Sequence, residues 1–283
     1  YGIYYRGALP EKDAPTVAVV GSRNCSTYGS VTAYSIGKAL AARGVNIVSG
    51  LARGVDAQSQ KGALDASGKT IGVLGSGVDV CYPPENLPLY NRMQRQGGVV
   101  SEFPPGEKPR AYHFPLRNRV ISGLSDAIIV VEARAKSGSL ITADLALEQG
   151  KEVFVVPGQI DSSLSNGCNS LLRQGAGVFL DVDNFIADMA HLPHFSNLKT
   201  TGTESVKFEQ NPKKATTNKK FDLVNSEVVV YSEVNLLPKG IEEIRLNTGL
   251  DLPELMCALL SLQEKGLIVE VGTSRYVRGS ILL

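Results

Sequence analysis

Cysteine is scarce in this chain, and its placement excludes more than its number does. Cys25, Cys81, Cys168 and Cys257 lie far apart and form no C-x-x-C pair. Such spacing supports neither a disulfide framework nor a zinc finger. Reduced, buried thiols in a cytosolic protein are the ordinary reading. Histidine is scarcer still. His113, His191 and His194 include no H-E-x-x-H pattern, so a metal hydrolase has no support and no metal ligands are expected. No apolar run approaches the ~20 residues needed to cross a bilayer, and the opening residues do not read as a signal peptide. A cytoplasmic protein without membrane insertion is expected. An excess of either charge is also missing: 29 Lys and Arg face 28 Asp and Glu, a net of +1. Bulk charge therefore does not announce a nucleic-acid binder, and any electrostatic footprint must be local.

What is present is an ordinary globular composition. Of 283 residues, 43% are hydrophobic and 20% charged, enough for a sizeable core in two domains or one large one. From 16 to 190, short apolar runs alternate with helical stretches. Residues 16–20 are small and β-branched and end at Gly21. A helix follows, with Ala33, Ile36, Gly37 and Leu40 at helical spacing and Gly44 closing it. Strands are expected at 45–49, 70–74, 99–101, 127–131 and 152–156. Helices are expected from Asp56, a plausible N-cap, to 67, over 115–124, and over 140–149 with Ser139 as cap. Residues 84–96 read as an amphipathic segment. The strands are near-continuous Val, Ile and Ala runs rather than alternating ones, which indicates burial on both faces. The predicted fold is α/β, a doubly wound, mostly parallel Rossmann-like sheet over 1–192.

The pattern breaks at 193–222, rich in Thr, Asn, Lys, Pro and Glu, a flexible-linker composition. A small module follows over 223–283. A short helix ends near Gly249, and a longer one starts at the cap Asp251 with Pro253 in its first turn. Two short strands flank Gly272-Thr273-Ser274. Helix, helix and hairpin in this order suggest a winged helix. Its presumed recognition helix carries Asp251, Glu254 and Glu264 against Lys265 alone, so phosphate attraction there is poor. Lys213, Lys214, Lys219 and Lys220 in the linker read as a solvated charge run.

Four segments at strand ends carry the chemistry. Gly21-Ser22-Arg23 lies between a strand and a helix, where free N–H groups and the positive helix end suit phosphate. Arg23 adds a forked donor; the bland alternative is a tight turn with a solvated arginine. The 49–56 loop has two glycines that let the backbone approach a ligand, and Arg53 is placed either to touch phosphate or to pair with an acid. Gly75-Ser76-Gly77 echoes G-x-G, but no third glycine follows, and the tight-turn reading is preferred. The fourth segment joins Arg117 and Arg119 with Lys136-Ser137-Gly138-Ser139. Together with Arg23 these line one basic groove across the strand tips, along which phosphates track. Internal ion pairs are the equal alternative for Arg117 and Arg119. Gly68-Lys69-Thr70 resembles a Walker A loop, but it leaves a helix and enters a strand, the reverse of what a phosphate loop requires. ATP binding is rejected. No nucleophile–base pair is apparent, and Glu102 and Glu132 have no assigned catalytic partner. No catalytic residue and no cofactor are expected.

These segments resemble the DprA/Smf family: Gly21-Ser22-Arg23, the 49–56 loop, residues 72–83, 101–106 and 114–158, and Gly167-x-Asn169-x-Leu171. The similarity covers about 4–190. The resemblance implies a non-catalytic protein that binds single-stranded DNA cooperatively as a homodimer and hands it to the RecA recombinase during natural transformation. It implies DNA contacts at Arg23 and Lys136, with Arg117 and Arg119 carried over tentatively, and a winged helix at the end. An N-terminal sterile-alpha-motif-like domain occurs in many members and is not represented in this sequence. The competing reading is a nucleotide-processing enzyme of the lysine-decarboxylase-like group, which shares a related fold. Its Pro-Gly-Gly turn is absent here, where Lys136-Ser137-Gly138-Ser139 is followed by Ala143 and Asp144.

Overall fold

The computed structural model describes residues 2–9, 11, 13–196, 198, 224–235, 238–270 and 274–278. Most of the expected linker, including its four lysines, lies outside the described residues, as do Gly272 and Thr273. The chain divides into two compact units, Tyr1–Ser205 and Val206–Leu283.

The first unit is built on an eight-stranded sheet. In chain order the strands are β1 (Tyr4–Gly7), β2 (Thr16–Val20), β3 (Asn46–Ser49), β4 (Thr70–Val73), β5 (Gly98–Ser101), β6 (Ala127–Val130), β7 (Glu152–Val155) and β8 (Gly177–Val178). Their spatial order is β1-β5-β4-β3-β2-β6-β7-β8. All neighbours pair in parallel except β1, which runs antiparallel along β5. The sheet grows outward from β2 in one direction through β5, then restarts at β6 on β2's other side. This is the reversal of a doubly wound, Rossmann-like fold. Sequence reading did not find β1, which is exposed at all four residues and offers no buried run to detect.

Helices cover both faces, which explains the unbroken apolar strands. Val17, Val19, Ile47, Ala127, Ile129 and Phe154 point to one side. There they meet α1 (Thr27–Ala42), α2 (Val55–Asp65) and α7 (Val182–Asp188). Ala18, Val20, Val48, Ile128, Val130 and Val155 point to the other. They pack on α4 (His113–Gly123), α5 (Gly138–Glu148) and α6 (Asn166–Arg173). Near β4 and β5, α3 (Leu87–Gln96) adds Tyr90 and Met93 to a smaller cluster with Leu51, Leu64, Leu74 and Val99. The two helices α1 and α2 approach closely because each supplies a glycine at the crossing. A Cβ on Gly37 would lie 2.0 Å from the Ser59 carbonyl oxygen, and one on Gly62 would lie 2.1 Å from that of Tyr34.

Two expected caps are corrected. Helix α2 starts at Val55, after Gly54, with no side-chain cap; Asp56 lies inside it and is buried. Helix α5 starts at Gly138, and Ser137 rather than Ser139 is its N-cap. The cysteines form no disulfide, but only Cys168 is buried and Cys257 is exposed. Burial pushes the Cys168 thiol up to about 12.

Helix α8 (Pro193–Ser196) belongs to the first unit; the described elements of the second are α9 (Asn225–Glu233), β9 (Lys239–Gly240), α10 (Ile241–Thr248), α11 (Leu252–Glu264), β10 (Ile268–Glu270) and β11 (Arg275–Arg278). The strands form an antiparallel sheet in the order β10-β11-β9. Val230, Ile244, Leu255, Leu259, Leu262 and Tyr276 make its core. Asp251 caps α11 by accepting from the Glu254 N–H at 2.9 Å. Helix α9, which sequence reading missed, contributes the buried Glu227. Its carboxylate accepts from Ser261 Oγ at 2.5 Å and from Lys265 Nζ at 2.7 Å.

Candidate functional site

The connections leaving β2 and β6 diverge at their carboxyl ends. The chain after β2 enters α1 on one face, while that after β6 enters α5 on the other. In open α/β sheets this divergence leaves a crevice, the ordinary place for a ligand. Here it is a cavity of about 750 Å³. Its walls include Gly21, Ser22 and Arg23 from the first connection and Lys136, Ser137, Gly138 and Ser139 from the second. Arg117 lines its floor. Eight of the ten residues singled out from sequence therefore share one concavity. Arg53 lines an adjoining recess of about 180 Å³ together with Arg23 and Arg117. Arg119 lines neither.

Buried polar contacts fix the two connections. Glu132, 5% exposed, accepts from the Ser26 N–H at 2.9 Å and from Ser26 Oγ at 2.5 Å. Ser26 Oγ in turn accepts from the Gly29 N–H at 3.1 Å and caps α1. The carboxylate is thus spent on anchoring the start of α1. Close approach is possible because a Cβ on Gly29 would fall 2.4 Å from the Glu132 carboxylate. Burial, with the nearby Glu132 charge, raises the Cys25 thiol to about 11. On the other side, Ser137 Oγ accepts from the Ser139 N–H at 3.3 Å and lies 2.7 Å from Ser139 Oγ. Gly138 faces open space at the first turn of α5, where helix N–H groups remain available to an anion. The expected Gly-x-Asn-x-Leu segment has an internal role. Asn169 Nδ2 donates to the Gly158 carbonyl at 3.2 Å, and its Oδ1 accepts from the Gly158 N–H at 3.4 Å.

The 49–56 loop is held from within rather than opened toward a ligand. The Gly50 N–H donates to Asp56 at 3.0 Å, and Arg117 Nη1 donates to the Gly50 carbonyl at 2.8 Å and also to that of Val73. A Cβ on Gly50 would lie 2.4 Å from the guanidinium, so this glycine admits Arg117. Leu51 adopts a positive φ of 52°, secured by Asn86 Nδ2, which donates to the Leu51 carbonyl at 2.9 Å. Burial lowers the Arg117 guanidinium to about 10, opposed by Asp56 and assisted by Arg23. Burial likewise raises the Asp56 carboxyl, opposed by Arg117 and by the Gly50 and Ala52 N–H groups.

The basic residues thus separate into two kinds. Arg117 is 5% exposed and bonded to backbone carbonyls. Arg119 pairs with Glu102 at 2.6 Å, and Arg53 pairs with Glu85. Arg53 and Arg119 are thus held in ion pairs, and Arg117 by backbone carbonyls. Arg23, Arg134 and Lys136 are exposed on the cavity. Among the described residues, none of them enters an ion pair. Sequence analysis did not single out Arg134, Asn118, Tyr82 or Phe114, which line the same cavity. The ring of Phe114 lies under the Arg23 guanidinium, 5.0 Å from it to the centroid. Aromatics next to a basic motif are the signal that was available. Among the described residues no cluster of His, Cys, Asp and Glu is arranged to hold a metal, and no helix is long and apolar enough to cross a membrane.

Comparison with known proteins matches the same region. The family model for DNA recombination-mediator protein A covers residues 1–190. Protein Smf of Synechocystis is 34% identical over 98% of this chain and 74% of that protein. The crystal structure of DNA processing protein A from Streptococcus pneumoniae is 43% identical. It covers 66% of this chain and 65% of that one, with a TM-score of 0.63. A structure describing the single-stranded DNA binding mode of DNA processing protein A from Helicobacter pylori is 32% identical over 67% of this chain and 86% of that one, with a TM-score of 0.61. The chain spans between 47% and 74% of the length of the curated relatives it matches. With its doubly wound sheet, its cavity at the strand reversal and a family match over two thirds of its length, the chain belongs to the DNA recombination-mediator protein A family, the DprA/Smf proteins.

Proposed function

We propose that this protein binds single-stranded DNA in the cavity at the carboxyl edge of its sheet, without hydrolysing it. The observation that carries this reading is the set of unpaired, exposed cations, Arg23, Arg134 and Lys136, converging on one cavity with the first turn of α5. A fork-shaped guanidinium, an ammonium and open N–H groups together suit the oxygens of a phosphodiester. Gly21, Ser22, Ser137, Gly138 and Ser139 shape the phosphate path. Arg53 serves it from the adjoining recess when it leaves Glu85. Arg117 acts from the floor, by holding the 49–56 loop, and Arg119 stays with Glu102.

The protein works in the cytoplasm as a homodimer that passes DNA to the RecA recombinase during uptake and recombination. Residues 1–192 form the DNA-binding domain and 223–283 a winged helix; of the stretch expected as linker, 193–222, Pro193–Ser196 are helix α8 with Phe195 buried, and most of the rest lies outside the described residues. That last module is suited to contact protein rather than phosphate, because α11 carries Glu254 and Glu264 beside its cap Asp251.

The test is a binding titration with Arg23→Ala and Lys136→Ala combined. The double variant is expected to keep its fold and lose single-strand affinity at least tenfold. Its salt dependence should fall as well, by a slope of roughly 0.7 for each phosphate contact removed. Unchanged affinity and slope would defeat the assignment. Release of free base from nucleoside monophosphates by the wild type would instead point to the lysine-decarboxylase-like chemistry.

A further inference from the structure

We propose that Glu85 is a built-in competitor for phosphate: its carboxylate occupies Arg53 until a strand enters the recess, and retakes it as the strand leaves. The proposal rests on the single-strand reading above and names a residue that sets how firmly that site grips.

Arg53 stands apart from the other cations of the site. Arg23, Arg134 and Lys136 enter no ion pair among the described residues. Arg53 lines the recess beside Arg23 and Arg117, yet its Nε donates to Glu85. The chain delivers that acid to its place by bonds other than the ion pair. Tyr82 and Pro83 line the recess, and the single turn Pro84–Asn86 follows at once. Asn86 Nδ2 donates to the Leu51 carbonyl at 2.9 Å and to that of Ala52 at 3.2 Å, the two residues before Arg53. Upstream of the turn, Ser76 Oγ donates to the Val80 carbonyl at 2.8 Å, and the Tyr90 hydroxyl donates to that of Val78. The 49–56 loop is itself held by Asp56 and Arg117. Guanidinium and carboxylate therefore stand on two anchored stretches of backbone. Only the side chains are free to part, and they are 59% and 48% exposed.

That exposure decides the strength of the contact. An exposed pair is screened by water and salt and is weak. A carboxylate and a phosphate present the guanidinium fork with equivalent oxygens, so one replaces the other while the loop stays as it is. The exchange is close to balanced: the phosphate gains a cation and Glu85 returns to water. On release the carboxylate closes on Arg53 again, so the cation is never left bare. A site with Arg53 permanently free would hold every strand more tightly and release it more slowly.

The experiment titrates the full chain with oligodeoxythymidine of one length over a range of salt concentrations. Glu85→Gln removes the competing charge and keeps the side-chain shape. It should tighten binding by about two- to fivefold, the range an exposed ion pair supports. The salt dependence should steepen by up to roughly 0.7, and the gain should lie mainly in slower dissociation. In an Arg53→Ala background the same change should have no effect, because the cation it frees is gone. Glu102→Gln removes an equal charge from a pair whose arginine lines neither the cavity nor the recess, and should leave affinity within a factor of about 1.5 of the wild type. Unchanged affinity in Glu85→Gln, a gain that survives Arg53→Ala, or an equal gain from Glu102→Gln would overturn the competition while leaving the phosphate site standing. Failure of both the wild type and Glu85→Gln to bind the strand would overturn both.

Discussion

Asp56 and Arg117 grip the same residue from its two polar ends: the Gly50 N–H donates to the carboxylate, and the Gly50 carbonyl accepts from the guanidinium. Both side chains are buried. Each therefore depends on the other and on this backbone for what water would otherwise supply. The loop between β3 and α2 is held as one unit with α4, directly beneath the cavity.

Arg117→Ala is expected to be severe, because it leaves the Asp56 carboxylate without its partner. Removing one member of a buried pair costs about 3–5 kcal/mol. Arg119→Ala, two residues away, breaks an exposed pair with Glu102 and should cost at most about 1 kcal/mol. Urea unfolding of the two variants measures the contrast. Similar midpoints for both would contradict the separation of the two arginines into buried and exposed roles.

Gly37→Ala reverses an ordinary rule. Replacing glycine by alanine inside a helix usually gains about 0.5–1 kcal/mol. Here the added methyl would meet the Ser59 backbone carbonyl, so α2 must move and overpacking should cost about 1–3 kcal/mol. At Gly44 the space is open but φ is +82°, and alanine should lose about 1–2 kcal/mol from the left-handed backbone alone. Thermal denaturation should show both variants less stable than the wild type. A higher melting temperature for Gly37→Ala would mean that α1 and α2 are not in close contact.

The second unit carries a pH-dependent tie. Lys265, with Ser261, holds the Glu227 carboxyl down at about 2, from an ordinary 4.5. A carboxyl lowered in the folded state contributes stability above its unfolded value and loses it as pH falls through the folded one. Amide protection factors in α9 and α11, normalised to intrinsic exchange, should therefore fall between pH 4.5 and pH 2. Glu227→Gln should remove most of that dependence and weaken the unit at neutral pH. Wild-type protection factors constant across this range would refute the tie.

Much of the fold was legible because its strongest signals are local. The apolar runs at 16–20 and 127–131 and the helical spacing of Ala33, Ile36 and Leu40 each report burial without reference to distant residues. The elements missed had weaker signals. Strand β1 is exposed throughout, and β8 is two residues long. The cap was misplaced by two residues at α5, since Ser137 and Ser139 are chemically alike and only backbone geometry chooses between them.

Sequence alone determined that a doubly wound sheet forms and that short, glycine-rich connections with cations leave its strands. These follow from patterns a few residues long, set by side-chain burial and backbone freedom. Only the tertiary structure decided which cations stay free. Arg53, Arg119 and Arg117 are separated from Glu85, Glu102 and Asp56 by between 17 and 61 positions, yet folding brings each toward its acid. Among the described residues Arg23 and Lys136 meet no such partner, and they face the cavity instead. Whether a charge is neutralised depends on distance in space, and no spacing along the chain encodes that.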